Sequence, residues 1–254
     1  MHHRSRLLVV AVYVTMLTGA ACAEPEARVW NFGSDFSLPY RWSAPEKLEP
    51  GKRYPLVLFL HGSGERGNDN TSQMNHGVKP ILKGAKELDE PTFLIAPQCP
   101  CDVWWAPITG DRLKLTEAGK PNLVMDEVVG LLDEILKSHP VDPARVYVTG
   151  LSMGGFGTWD LLARIPGKIA AAVPICGGGD PDTVDKFKDV PIWVIHGEVD
   201  PVVPIAASRL MIAALKEVGV EPKTTLYPNV AHDSWTQAYD NPELIQWLFA
   251  QRKK

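Results

Sequence analysis

Residues 146–162 read VYVTGLSMGGFGTWDLL. The stretch opens as an apolar, strand-like run and closes on a helical pattern, with Ser152 at the joint between Gly150 and Gly154. A serine placed there is held proud of a sheet in a strained turn, and its flanking positions must be small because strand and helix nearly touch. The first turn of the following helix also aims free backbone N–H groups at the same space. As a bare pattern G-x-S-x-G is weak, and a serine in that place can act simply as a helix N-cap. The strand-to-helix joint is what gives it weight.

Similar apolar runs recur on either side. Residues 54–62 (YPLVLFLHG), 92–98 (TFLIAPQ), 145–152 (RVYVTGLS), 169–178 (IAAAVPICGG), 190–197 (VPIWVIHG) and 221–229 (EPKTTLYPN) each read as a strand. Near-continuous apolar strands are expected where both faces of a sheet are covered. Helical periodicity lies between them. Val124, Val128, Leu131, Leu132 and Ile135 share one stripe of a helix that Pro140 ends. A second helix follows Ser152 and stops before Pro166, and a third runs over residues 205–219 with Gly219 at its C-terminal end. The last opens on Asn241-Pro242, an N-cap followed by proline at the first helical position. Strands alternating with helices specify an α/β domain, a mostly parallel central sheet flanked by helices on both faces. No repeat, low-complexity tract or linker splits residues 24–254, so one domain is expected there. Loops after residues 60, 98, 150, 178, 197 and 229 should share one rim, the carboxyl end of the sheet where function collects.

The chain has 254 residues, 45% hydrophobic and 22% charged, enough for a full core. Its formal charge is −4, and its basic cluster, Arg252-Lys253-Lys254, reads as a solvated tail, so nucleic acid is not an expected partner. Residues 1–23 differ in composition. Arg4 and Arg6 precede an apolar stretch from Leu7 to Leu17 and then small residues, the pattern of a secretory signal peptide. Ala21-Cys22-Ala23 supplies an A-x-A cleavage site; a start at Glu24 removes both arginines and no acid, taking the formal charge from −4 to −6. The apolar stretch is short for a membrane span. A retained N-terminal anchor is one alternative. Lipidation at Cys22 is another, favoured by the small residues before it and disfavoured by Gly19, where bacterial lipoprotein signals usually carry leucine. The expected location is therefore exported, periplasmic or extracellular, with a lipid anchor through Cys22 as the alternative. The short segment ahead of Pro55 leads us to expect no large N-terminal accessory module.

Beyond the leader remain Cys99, Cys101 and Cys176. One disulfide, Cys99 or Cys101 with Cys176, fits an exported protein; simple buried thiols fit as well. Cys-Pro-Cys lacks a second ligand pair at zinc spacing, so no metal site is expected.

A serine hydroxyl is a poor nucleophile until a base takes its proton, and the base needs an orienting carboxylate. His139 ends a helix and reads as exposed, His76 lies in a polar segment, and His61 and His196 each close a strand beside a glycine. His232 follows the last strand and precedes the last helix, the place of the base in the chain order serine, acid, histidine. The acid must fall between them. Asp200 in HGEVDPVVP (196–204) follows a strand and precedes Pro201, which favours an extended turn. Glu198 is the alternative, with Asp180 and Asp182 more remote. Charge developing on a substrate oxygen needs fixed donors, each worth roughly 3–4 kcal/mol of the barrier. The N–H of Met153 is one. The second is expected from the loop LHGSGERG (60–67), at Ser63 or else Gly64. That loop lacks the Gly-Lys-Ser/Thr ending of a phosphate-binding P-loop.

Together YPLVLFLHGSGERG, APQCP with Trp105 beyond it, GLSMGGFGTW, HGEVDPVVP and AHDSWTQAY resemble the α/β-hydrolase superfamily. More narrowly they resemble secreted carboxylesterases described as predicted peptidases or phospholipase/carboxylesterase-like proteins. Feruloyl-esterase-like and polyhydroxyalkanoate-depolymerase-like enzymes are more distant. The resemblance runs from about Leu38 to the C-terminus. It implies an α/β-hydrolase fold with Ser152 as nucleophile, Asp200 as orienting acid, His232 as base, and Ser63 with Met153 as oxyanion hole. It also implies Trp105 and Trp235 as walls of the acyl or alcohol pocket, with core or rim packing as the other account of both. Cys101, beside the matched QCP, departs from the pattern.

The resulting reading is a serine hydrolase that cleaves carboxylic esters, small or polymer-borne, through an acyl-enzyme, with no cofactor and no metal. A serine peptidase of the same fold is the nearest rival, though no propeller or gating module is seen; a feruloyl or acetyl esterase acting on plant polysaccharide is a narrower form. A non-catalytic binding protein would normally have lost a triad member. A redox protein on Cys99-Pro-Cys101 lacks the Cys-x-x-Cys spacing. Residues 99–121 hold two tryptophans and no clear strand, and are expected to overhang the site and set substrate choice.

Overall fold

The computed structural model describes residues 24–31 and 37–253; the leader expected over residues 1–23, with Cys22, lies outside the described residues. In chain order the elements are β1 (Glu26–Asn31), β2 (Ser37–Ser43), β3 (Tyr54–Leu60), α1 (Val78–Glu87), β4 (Phe93–Pro97), α2 (Leu123–Ser138) and β5 (Val141–Leu151). There follow α3 (Met153–Arg164), β6 (Ala171–Ile175), β7 (Trp193–Gly197), α4 (Ala206–Glu217), β8 (Lys223–Tyr227), α5 (Ser234–Tyr239) and α6 (Pro242–Ala250). All eight strands join one sheet in the order β1-β2-β4-β3-β5-β6-β7-β8. Strands β3 to β8 run parallel, and β1 and β2 add an antiparallel edge. This is the expected α/β architecture.

The order of strands places the site. From β3 the chain steps to β4 on one side and then to β5 on the other, so the loops leaving β3 and β5 diverge around a common crevice. Leu60 pairs with Gly150, which sets the ends of these two strands level. Side chains alternate across the sheet. Leu56, Leu58, Leu60, Val146 and Val148 join one core with α2 and α3, while Val57, Phe59 and Tyr147 join the other with α1 and α6. At about 1.5–3 kcal/mol per buried large apolar side chain, β3 is anchored from both faces, and the loop after it inherits that rigidity.

Local signals explain the helix ends. The Asn122 side chain accepts the Met125 N–H at 3.1 Å to cap α2, and Asn241 accepts the Glu243 N–H at 3.0 Å to cap α6. Gly219 takes a φ of 81° just past α4, where the Val220 N–H returns to the Leu215 carbonyl at 2.9 Å. Four elements escape the sequence reading: β1, β2, α1 and α5. His139 is not the exposed residue expected, since its ring packs on Trp42 at 4.7 Å and Phe93 at 5.7 Å. Among the described residues no helix is long and apolar enough to cross a membrane.

Candidate active site

Ser152 stands between β5 and α3 with φ 53° and ψ −116°, a strained backbone conformation for a residue with a side chain. Its N–H is tied to the Ile175 carbonyl at 2.9 Å, which fixes the turn against β6. The neighbouring glycines have no room for a side chain. A Cβ on Gly150 would lie 2.4 Å from the Gly154 carbonyl oxygen, and one on Gly154 would lie 2.0 Å from the Leu60 carbonyl oxygen. The sharp turn of strand into helix is what G-x-S-x-G encodes.

The structure joins Ser152, His232 and Asp200. Ser152 Oγ lies 2.9 Å from His232 Nε2, and His232 Nδ1 lies 2.7 Å from Asp200 Oδ2. An ionised carboxylate only accepts, so Nδ1 carries the ring proton and Nε2 is left to accept from the serine. Asp200 Oδ1 accepts the Val202 and Val203 N–H groups at 2.8 and 2.9 Å. Its Oδ2 has a second imidazole, His196 Nε2, at 3.3 Å. Burial alone would raise the Asp200 carboxyl; the hydrogen bonds from His196, His232, Val203 and Val202 outweigh it and hold the group well below the usual carboxylate range. His196, read only as a strand end, is wholly buried and receives Ser208 Oγ on Nδ1 at 2.7 Å. The runner-up Glu198 points away to Arg209 at 3.4 Å, and Asp180 caps the short turn that starts at Pro181. Asp182 lies in that same turn.

The loop after β3 reaches the nucleophile. A Cβ on Gly62 would lie 3.6 Å from Ser152 Cβ, and Ser63 opens a single turn of 3-10 helix there, with Arg66 Nε on the Ser63 carbonyl at 3.0 Å. Met153 begins α3, where N–H groups have no intrahelical partner. His61 braces this loop. Its Nδ1–H donates to the Gly62 carbonyl at 2.6 Å, its Nε2 accepts the Cys99 N–H at 2.9 Å, and its own carbonyl accepts Trp105 Nε1–H at 3.0 Å. Burial lowers the His61 imidazole from 6.5 to about 4.

Protonating His61 on unfolding gives a pH signature. The unfolded chain takes up a proton below about 6.5 while the folded one does so below about 4, so the contribution is complete above pH 6.5 and is lost as pH falls toward 4. Its size is up to about 3 kcal/mol. Urea unfolding at pH 7 and pH 4.5 should show a loss of stability that is smaller by about 2–3 kcal/mol in His61→Gln. An equal loss in the variant would assign the acid sensitivity to other groups.

The two tryptophans part company. Trp105 has no exposed surface; it packs in the core, edge-on to His61 and against Gly157, and so does not wall an open pocket as expected. Trp235 is half-buried and stands with its ring edge-to-face with His232 at 5.1 Å. Cys99, Cys101 and Cys176 are all free thiols, so the disulfide reading gives way to its alternative. Cys99 and Cys176 are buried, while Cys101 is exposed. The segment 99–121 follows the rim, with Leu115 N–H on the Gly179 carbonyl and Arg112 on the Val202 carbonyl, both at 3.1 Å.

Among the described residues, Cys176, Asp200 and His232 are the grouping whose ligating atoms lie within 4.8 Å of one another. Burial pushes the Cys176 thiol up, away from the thiolate a metal requires, and both Asp200 oxygens already serve as hydrogen-bond acceptors. The trio suits a hydrogen-bonded row better than a coordination shell. A surface groove of about 380 Å³ beside Lys79, Tyr239 and Ile245 does not include Ser152. The chemistry at the elbow, rather than the size of a cavity, locates the site.

An eight-stranded, mostly parallel sheet with helices on both faces and a serine at the strand-to-helix elbow defines an α/β-hydrolase, and the chain is a carboxylesterase-like hydrolase. It belongs to the dienelactone hydrolase family, whose model matches residues 112–242. It is similar to the poly(3-hydroxyoctanoate) depolymerase of Pseudomonas fluorescens, 28% identical over 82% of this chain and 78% of that one. The bifunctional acetylxylan esterase/xylanase XynS20E of Neocallimastix patriciarum is 36% identical over 63% of this chain, though only 21% of that protein is spanned. A thermostable esterase of known crystal structure superimposes with a TM-score of 0.84 and 38% identity, over 91% of this chain and 64% of that one.

Proposed function

We propose that this chain is an exported serine hydrolase that cleaves carboxylic esters through an acyl-enzyme on Ser152. The observation that carries the reading is the row Ser152 Oγ, His232 Nε2, His232 Nδ1 and Asp200 Oδ2, linked at 2.9 and 2.7 Å. In the proposed cycle Ser152 Oγ attacks the ester carbonyl while His232 Nε2 takes its proton. Asp200 keeps the ring oriented and balances the imidazolium charge. The N–H groups of Met153 and Ser63 receive the oxyanion. His232 then protonates the leaving alcohol. Water attacks the acyl-serine as His232 takes a proton from it, the acid departs, and the proton returns to Ser152. The similar proteins named above act, by their names, on polyesters and acetylated xylan, and this supports esters over peptides as substrates.

A fluorophosphonate probe followed by mass spectrometry of the exported protein tests both halves. The expected result is one adduct, on Ser152, in a chain that starts at Glu24. A start at acylated Cys22 would replace secretion by membrane anchoring. An unlabelled chain removes the nucleophile, and faster cleavage of peptides than of esters removes the substrate class.

A further inference from the structure

The Glu65 carboxylate lies beside Gly62, in the turn that faces the nucleophile, and the cycle above gives it no part. The point that a Cβ on Gly62 would occupy lies 3.0 Å from Glu65 Oε2 and 3.6 Å from Ser152 Cβ. Only 12% of the Glu65 side chain is exposed, and its ionic partner, His76 Nε2, stands 3.8 Å away, beyond hydrogen-bond distance. Among the described residues this carboxylate has no donor. A mostly buried carboxylate is costly until hydrogen-bond donors reach it, so the group is suited to a ligand that brings them.

Its surroundings say which part of the substrate that is. The His76 ring leans on Trp235 at 5.6 Å, and Trp235 meets His232 at 5.1 Å. Glu65, His76 and Trp235 thus form an arc from the Gly62 turn, which faces Ser152, to the base. The group that His232 protonates on departure is the alcohol, so this arc flanks the alcohol side of the ester. Beyond Trp235 the surface continues as a groove of about 200 Å³ that carries Asn75, Thr236 and Asp240. An acceptor, a second polar ring and an aromatic side chain together suit a hydroxylated ring. A cationic alcohol is disfavoured by the neighbouring Arg66, whose guanidinium is held on the Ser63 carbonyl and over Trp104.

We propose that Glu65, with His76 and Trp235, is an alcohol-side subsite for the hydroxyl groups of a polyhydroxylated leaving alcohol, such as a glycosyl unit of an acylated oligosaccharide. This rests on the ester-cleaving reading of Ser152. The test compares kcat/KM for acetylated xylobiose and for ethyl acetate, which share an acyl group, in wild type, Glu65→Leu and Glu65→Gln. The ratio of sugar ester to ethyl ester is expected to fall about tenfold to a hundredfold in Glu65→Leu, and less in Glu65→Gln, whose amide oxygen still accepts. Fluorophosphonate labelling reports whether each elbow is assembled; if Glu65→Leu does not label, the direction of the ratio in Glu65→Gln decides. An unchanged ratio, or equal losses on both esters, overturns the subsite and leaves the ester reading standing. A wild type that labels yet turns over neither ester overturns the ester reading, and the subsite with it.

Discussion

Replacing Ser152 with alanine is expected to lower kcat/KM on a small p-nitrophenyl ester by about 10⁴-fold or more, equivalent to a barrier higher by at least about 5 kcal/mol. The reason is specific to the hydroxyl. Without Oγ no acyl-enzyme forms, and the proton that His232 Nε2 is placed to receive at 2.9 Å is gone. What remains is substrate binding and the fixed N–H donors, which leave a residual rate above that in water. Folding should survive, because the side chain's one hydrogen bond is to His232 and the backbone bond from Ser152 N–H to Ile175 is kept. A thermal melt within a degree or two of wild type would confirm that. The residues of the row act as a unit, so Ser152→Ala with His232→Ala should be little worse than either alone. Additive losses, or turnover by Ser152→Ala within tenfold of wild type, would remove Ser152 as the nucleophile.

The row of serine, acid and histidine was legible because each member sits next to a residue that punctuates the chain. Gly150 and Gly154 mark the elbow, Pro201 follows Asp200, and His232 lies in the short polar stretch between β8 and α5. Chain order then supplied the assignment, and the structure links all three in hydrogen bonds. The six parallel strands were legible for a related reason, since burial on both faces leaves an unbroken apolar run. The edge pair was not. In β2 (SLPYRWS) buried and partly exposed residues alternate, with Pro39 and Arg41 among them, and β1 is exposed on one face and half-exposed on the other. Such segments look like loop until they find their partner. The sequence leaves Trp105 open between pocket wall and core because its counterpart, Gly157, lies on α3, and nothing in the local sequence says that an indole fills the space a side chain there would need. The place of Glu65 was hidden for the same reason. Its loop comes to Ser152 only because β3 and β5 are neighbours in the sheet.

That adjacency is also where the fold is least tolerant, and Gly154→Ala should show it. The added methyl would sit 2.0 Å from the Leu60 carbonyl oxygen, 2.5 Å from its carbon and 2.8 Å from the His61 carbonyl oxygen. These are backbone atoms at the end of β3, a strand buried on both faces, so no side chain can swing aside to relieve the contact. The helix must instead lift from the strand, opening the core around Leu60 and moving the Gly62–Ser63 turn away from Ser152. Overpacking that side chains can absorb costs about 1–3 kcal/mol; a clash with fixed backbone belongs to the exceptional class above about 4 kcal/mol. Against a total stability of about 5–15 kcal/mol, the variant should melt at least about 10 °C lower or fail to accumulate as folded protein. Gly64→Ala supplies the control. It changes the same loop, but a Cβ there meets nothing within 4 Å, so its melting point should stay within a degree or two of wild type. A Gly154→Ala protein as stable as Gly64→Ala would mean that β3 and α3 do not approach as closely as the elbow requires. The tight turn that holds Ser152 proud of the sheet would then lose its physical basis.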